Sequence, residues 1–118
     1  MAFKPFEKLR VYQLAEQLAD EIWDIVKTWK YFEKITVGKQ LVDAADSVGA
    51  NIAEGAGRGT PKENKRFIRI SRGSFNETKH WLRKSFRRNL INEKQAEKLN
   101  QMVDELGPSL NAYLNSIG

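Results

Sequence analysis

Residues 55 to 62, GAGRGTPK, place three glycines in five positions ahead of a threonine and a lysine. Glycine-rich chain ahead of a helix can cradle a phosphate. A P-loop, however, needs G-x-x-x-x-G-K-[ST] after a strand. Here Thr60-Pro61 follows Gly59, and helix-type sequence precedes the glycines. The G-x-G-x-x-G fingerprint fails as well, because the third glycine arrives one position early. An anion resting on the amides that open the next helix, helped by the dipole and Arg58, is one reading. The stronger reading is a corner: a left-handed glycine ends one helix and the next glycines reverse the chain.

Other catalytic constellations are missing. His80 is the only histidine and there is no cysteine, which leaves no Cys–His pair and no thiolate metal site. A Ser-His-Asp triad would have to form around a lone histidine among arginines. Asp43 with Asp46, and Asp104 with Glu105, read as solvated surface. Ser47, Asn51 and Glu54 share one helix face and fit hydrogen bonds between helices or to the turn better than a polar groove. Asn51, Glu54, Gly55 and Arg58 are therefore expected to build the turn, with Arg58 pairing Glu54. No catalytic residue, cofactor or metal is expected, and the chain does not read as an enzyme.

The strongest chemical signal is a run of cations. Between residues 61 and 88 stand Lys62, Lys65, Arg66, Arg69, Arg72, Lys79, Arg83, Lys84, Arg87 and Arg88, against two acids, Glu63 and Glu77. That segment carries +8, so with a net charge of +5 the rest of the chain sums to −3. At 100° per residue, Phe67, Ile68, Ser71, Ser74, Phe75, Thr78, Trp81, Leu82, Ser85 and Phe86 fall on one half of a helix. The basic residues and His80 fall on the other, in a stripe roughly 35 Å long at about 1.5 Å per residue. Like charges one turn apart repel, so a face this bare of acids points to an acidic partner. Nucleic acid comes first, because spaced arginines suit phosphates. An acidic protein is the second reading and an anionic membrane surface the third, since the apolar half looks committed to a core.

The elements that must position this stripe are helical. Apolar residues recur every three or four positions almost throughout. The first helix is expected over about 6–29. Val11, Leu14, Leu18, Ile22, Ile25 and Trp29 form its core stripe, and Tyr12, Ala15, Ala19, Trp23 and Val26 a second one suited to another subunit or to a broad monomer core. KYFEK, residues 30–34, reads as a turn. The second helix is expected over about 36–54, with a small surface at Ala44, Gly49, Ala50 and Ala53 that invites close packing. Thr60, Pro61 and Glu63 form a T-x-x-E capping box opening the third helix, which should reach about Arg88. Asn92 and Gln95 open the fourth, and Pro108 should kink or break it. Long helices with short connections predict an all-α, antiparallel up-down-up-down four-helix bundle, one domain over 1–118.

Hydrophobic residues make up 41% and charged residues 30%, a globular composition. No apolar run approaches the roughly 18 residues that span a bilayer. With no cysteine and no visible signal peptide, the expectation is a soluble cytoplasmic protein without a membrane partner.

Residues 40–77, QLVDAADSVGANIAEGAGRGTPKENKRFIRISRGSFNE, resemble the central signature of the 23S rRNA-intervening sequence protein family, also called four-helix bundle proteins. The matching positions are Gln40-Leu41, Ala44-Ala45-Asp46-Ser47, Ala50 to Gly55, Arg58, Phe67, and Gly73-Ser74 with Glu77. FEKLRVYQLAEQL also looks like the family's first helix. The resemblance covers about residues 6–91. It implies a four-helix bundle that assembles as a homopentameric ring. It also implies a bacterial source and a distant kinship with the accessory protein of diversity-generating retroelements, a basic pentameric barrel that binds nucleic acid and the reverse transcriptase. Val42-Asp43 stands where basic residues often follow Q-L, and Gly49 where proline is usual. The third-helix stripe would therefore have to carry nucleic-acid contacts here. The expected function is a non-enzymatic, oligomeric protein that binds RNA or DNA through that stripe. The alternative is a structural or protein-interaction module whose basic face docks an acidic protein.

Overall fold

The computed structural model describes residues 5–118. A 3-10 turn, Pro5–Lys8, leads into α1, Arg10–Val26. A single helical turn, Tyr31–Glu33, and a π-helical turn, Lys34–Gly38, run straight into α2, Lys39–Ala56. α3 spans Pro61–Arg87 and α4 spans Glu93–Ser116. No strand occurs among the described residues.

Each helix packs on its two neighbours around a square, α1 on α2, α2 on α3, α3 on α4 and α4 on α1. With short connections this is the antiparallel four-helix bundle that the periodicity predicts. Leu18 and Ile22 of α1, Ile52 of α2, Ile68 of α3, and Leu99, Leu106 and Leu110 of α4 meet in a core closed to solvent. The second stripe of α1 divides: Ala15 and Val26 enter that core, Tyr12 and Ala19 are half-buried, and Trp23 stays 56% exposed.

α2 and α3 make the closest pair. Ala44, Ala45 and Gly49 are buried on α2, Gly49 against Tyr12 and Ala15 of α1, and the buried Ser71 hydroxyl of α3 donates to the Val48 carbonyl at 2.7 Å. Buried Thr78 and Ser85 turn their hydroxyls back to the carbonyls of Ser74 and Trp81, both at 2.8 Å, so each of the three buried hydroxyls of α3 has an acceptor.

Three local expectations need correction. The segment read as a turn, residues 30–34, is already helical from Tyr31, and the π turn joins it to α2 without a break. Thr36 donates to the Phe32 carbonyl at 2.6 Å, back-bonding of the kind that loosens a regular helix. The exposed Tyr31, Phe32 and Ile35 leave the start of this stretch without core contact, and the buried Val37 and Gly38 anchor its end. Second, α2 runs through Gly55 to Ala56, and its cap Gly57 is right-handed at φ −88°. The left-handed glycine is Gly59, at φ 85°, directly before the cap of α3. Third, Pro108 does not break α4, which continues to Ser116. Leu106 and Leu110 are both buried and hold the helix across the proline, while Pro108 and Asp104 lie on the solvent side, where water can take the freed carbonyl.

The caps differ in strength. Thr60 accepts from the Glu63 amide at 3.2 Å, but the Glu63 carboxylate turns to Arg66 at 3.0 Å instead of closing the box. Asn92 and Gln95 close theirs from both sides, at 2.8 and 2.9 Å. α3 ends in a Schellman motif: Asn89 is left-handed at φ 60°, and the Leu90 amide donates to the Ser85 carbonyl at 2.8 Å.

Candidate nucleic-acid interface

The inward face of α3 fixes the outward one. Ile68, Ser71, Phe75, Thr78, Leu82 and Ser85 are buried at three- and four-residue steps. The basic residues, which occupy the remaining arc, must face out. At about 1.5 Å per residue the 27 residues of α3 extend roughly 40 Å, most of the 43 Å long axis of the molecule. Lys62, Arg66, Arg69, Arg72, Lys79, Arg83, Arg87 and Arg88 are exposed along it, as is His80, and Lys65 and Lys84 are half-buried.

Elsewhere on the surface, several cations reach carboxylates. Arg10 reaches Glu105 at 2.7 Å, Lys98 reaches Glu21 at 2.9 Å, Lys39 reaches Asp43 at 2.6 Å and Lys27 reaches Asp24 at 2.9 Å. On α3, among the described residues, Arg66 alone is paired, with Glu63 at 3.0 Å. That hydrogen bond holds the Glu63 carboxyl below its usual pKa. Glu77 is exposed and pairs with none of the stripe. The positive field of the face is therefore almost unneutralised.

Several of these cations are nonetheless held in place. The Arg66 and Arg58 guanidiniums lie 4.6 and 4.8 Å from the centre of the Phe67 ring. Lys79 sits 5.1 Å from the centre of Phe75, and Arg72 donates to the Asn111 side chain of α4 at 3.3 Å.

Of the expected turn residues, Glu54, Gly55 and Arg58 lie at the end of α2, and Asn51 bonds back into the helix. The Asn51 amide donates to the Ser47 carbonyl at 2.8 Å, and Ser47 to that of Asp43 at 2.8 Å, so both bond within their own helix and not, as expected, between helices or to the turn. Arg58 lies 3.7 Å from Glu54, a loose pair across the end of α2. Gly55 sits inside the last turn of α2 beneath α3, where a Cβ would stand 2.7 Å from Asn64 Oδ1 and 3.0 Å from Phe67 Cβ. Among the described residues no three His, Asp or Glu side chains gather as a metal site would need.

One feature escaped the sequence. α4 packs more closely on α1 than on α3, and its small residues Ala96, Gly107 and Ala112 line two grooves along α3, of about 290 and 650 Å³. Lys79 borders both, with Arg83 on one and Arg72 on the other. Phe86, expected in the core, lines the smaller groove and is 46% exposed. The signal lay at the seam of the two halves of α3, where Phe86 is flanked by Arg83 and Arg87.

The sequence pattern of a known family spans residues 7–112, nearly all of the chain. The chain belongs to the 23S rRNA-intervening sequence protein family. The intervening-sequence signature at 40–77 thus occupies α2, the glycine corner and the N-terminal part of α3. A crystal structure from Bacteroides thetaiotaomicron, a protein of unknown function from the S23 ribosomal protein family, is similar in fold. Its TM-score is 0.82 at 24% identity, covering 90% of this chain and 96% of that one. At that identity the likeness bears on the bundle alone. No curated protein matches the chain. No described helix is long and apolar enough to cross a membrane.

Proposed function

We propose that this intervening-sequence family member is a non-enzymatic, oligomeric protein that binds nucleic acid, RNA or DNA, through the outer face of α3. One observation carries the reading. Ten basic residues line one helix, and among the described residues only Arg66 of them has a carboxylate partner, while Arg10 of α1, Lys39 of α2 and Lys98 of α4 each have one. Unpaired like charges on one face destabilise a helix, and phosphates from a polyanion would relieve that repulsion.

Fluorescence anisotropy with labelled RNA and DNA, repeated over a salt series, tests it. The logarithm of affinity should fall linearly with the logarithm of salt, by roughly 0.7 to 0.9 per phosphate neutralised. Replacing Arg69, Arg72, Arg83 and Arg87 with glutamine should abolish binding and leave helicity by circular dichroism intact. Failure of RNA and DNA alike to bind at about 50 mM salt sinks the reading and leaves an acidic protein as the partner of this face.

A further inference from the structure

The smaller α3–α4 groove has three walls of different chemistry. Leu82, Leu99 and Val103 make an apolar floor. The Phe86 side chain stands at its edge with nearly half of its surface in water. Lys79 and Arg83, one helical turn apart, hold the rim on α3, and the exposed Asn100 holds the opposite lip on α4. We infer that this groove takes an unpaired nucleobase, and hence that the nucleic acid recognised by α3 is single-stranded. The inference rests on the phosphate-binding reading of α3 and specifies its ligand.

Each wall answers one part of a nucleotide. A base is a flat ring system that stacks on an aromatic face, and an exposed phenylalanine gains by being covered. Its flanking phosphates need cations at the mouth of the groove, and Lys79 and Arg83 stand there, about 6 Å apart along the helix axis. Its edge carries donors and acceptors, and the Asn100 amide offers both. A duplex meets this surface badly. Its bases are paired and stacked inside a convex cylinder, so phosphates would ride over the rim while Phe86 stayed wet. The larger groove continues the track along α3, with Arg72, Asn76 and Asn111 at its sides. A strand could run from one groove into the next without leaving the basic stripe.

The test compares fluorescein-labelled single strands, one of RNA and one of DNA, with the duplex of the same sequence at about 50 mM salt. The single strand should bind at least tenfold more tightly. Phe86→Ala should weaken single-strand binding about 5- to 150-fold, the range for losing one base–aromatic stack, with an unchanged salt slope. Duplex binding should not respond. Phe86→Leu fills the same space without a ring and should show the same selective loss, which keeps the test sound if the alanine variant melts early. The RNA and DNA arms report whether the 2′-hydroxyl matters. Equal binding of strand and duplex, with both variants silent, overturns the groove and leaves the phosphate reading standing. Absence of binding to any polynucleotide overturns both.

Discussion

Asp46 carries charge in a poor place for it. Partial burial on α2 raises its pKa, and the charges of Asp20, across on α1, and of Asp43 raise it further. A carboxyl whose pKa is higher folded than unfolded makes the folded state hold more protons. Stability then falls as pH rises through the folded pKa and is recovered below the unfolded one. Asp46→Asn removes this burden, so thermal melting at pH 7 should rise relative to the parent. The gain should shrink as pH is lowered through the acidic range. A gain independent of pH would mean that the carboxylate charge was not its source. The sequence shows Asp43 and Asp46 as neighbours on a solvated face. Asp20, twenty-six positions earlier, is not visible from spacing, because its approach depends on how α1 lies against α2.

Among the elements, α2 has the most to say about what periodicity shows. Its helical span, its core residues and its small surface are legible in the order of the residues. Which small residue sits under a neighbour is not. The sequence draws the eye to Gly49, yet a Cβ there would meet the Tyr12 ring at 3.5 Å, ordinary contact. The obligate site is Gly55, where Asn64 and Phe67 leave no room. Gly49→Ala should therefore stabilise the protein by about 0.5–1 kcal/mol through helix propensity. Gly55→Ala should cost about 1–3 kcal/mol through overpacking. Urea denaturation of the two variants checks both, and a reversed order would refute the packing described for the corner. Pro108 teaches a related lesson: local propensity argues for a break, and two buried leucines on either side prevail. The Schellman turn at Asn89 gave little warning, since asparagine replaces the usual glycine there.

At the scale of the molecule, the bundle was readable because four long segments each keep a clean 3.6-residue period. The α3–α4 grooves were not, because α4 packs more closely on α1 than on α3, which no single helix encodes. The same scale holds the question of assembly. Trp23, Tyr31, Phe32 and Ile35 are exposed in the stretch from α1 to the start of α2, and Trp23 and Val42 flank a groove of about 380 Å³. Large apolar side chains left in water are what subunit contacts cover. Light scattering coupled to size exclusion should report an oligomer, of five subunits if the ring that the resemblance implies forms. Trp23→Glu should shift the mass toward the monomer. A monomeric parent protein at every concentration would remove this face as an interface.

The division of charge, +8 on residues 61–88 and −3 on all the rest, also bears on time. A molecule so divided has a positive flank and a negative remainder, and it experiences a torque in any field. Before contact, a nearby polyanion would turn α3 toward itself and the acids of α1 and α2 away. Fewer collisions would then be wasted on the wrong side, and the encounter rate would exceed that of a protein with the same net charge spread evenly. Added salt would slow arrival by screening that torque beyond about 10 Å. A strand once seated would be released at a rate governed by the contacts inside the groove. Arrival and departure would thus answer to different parts of the same helix.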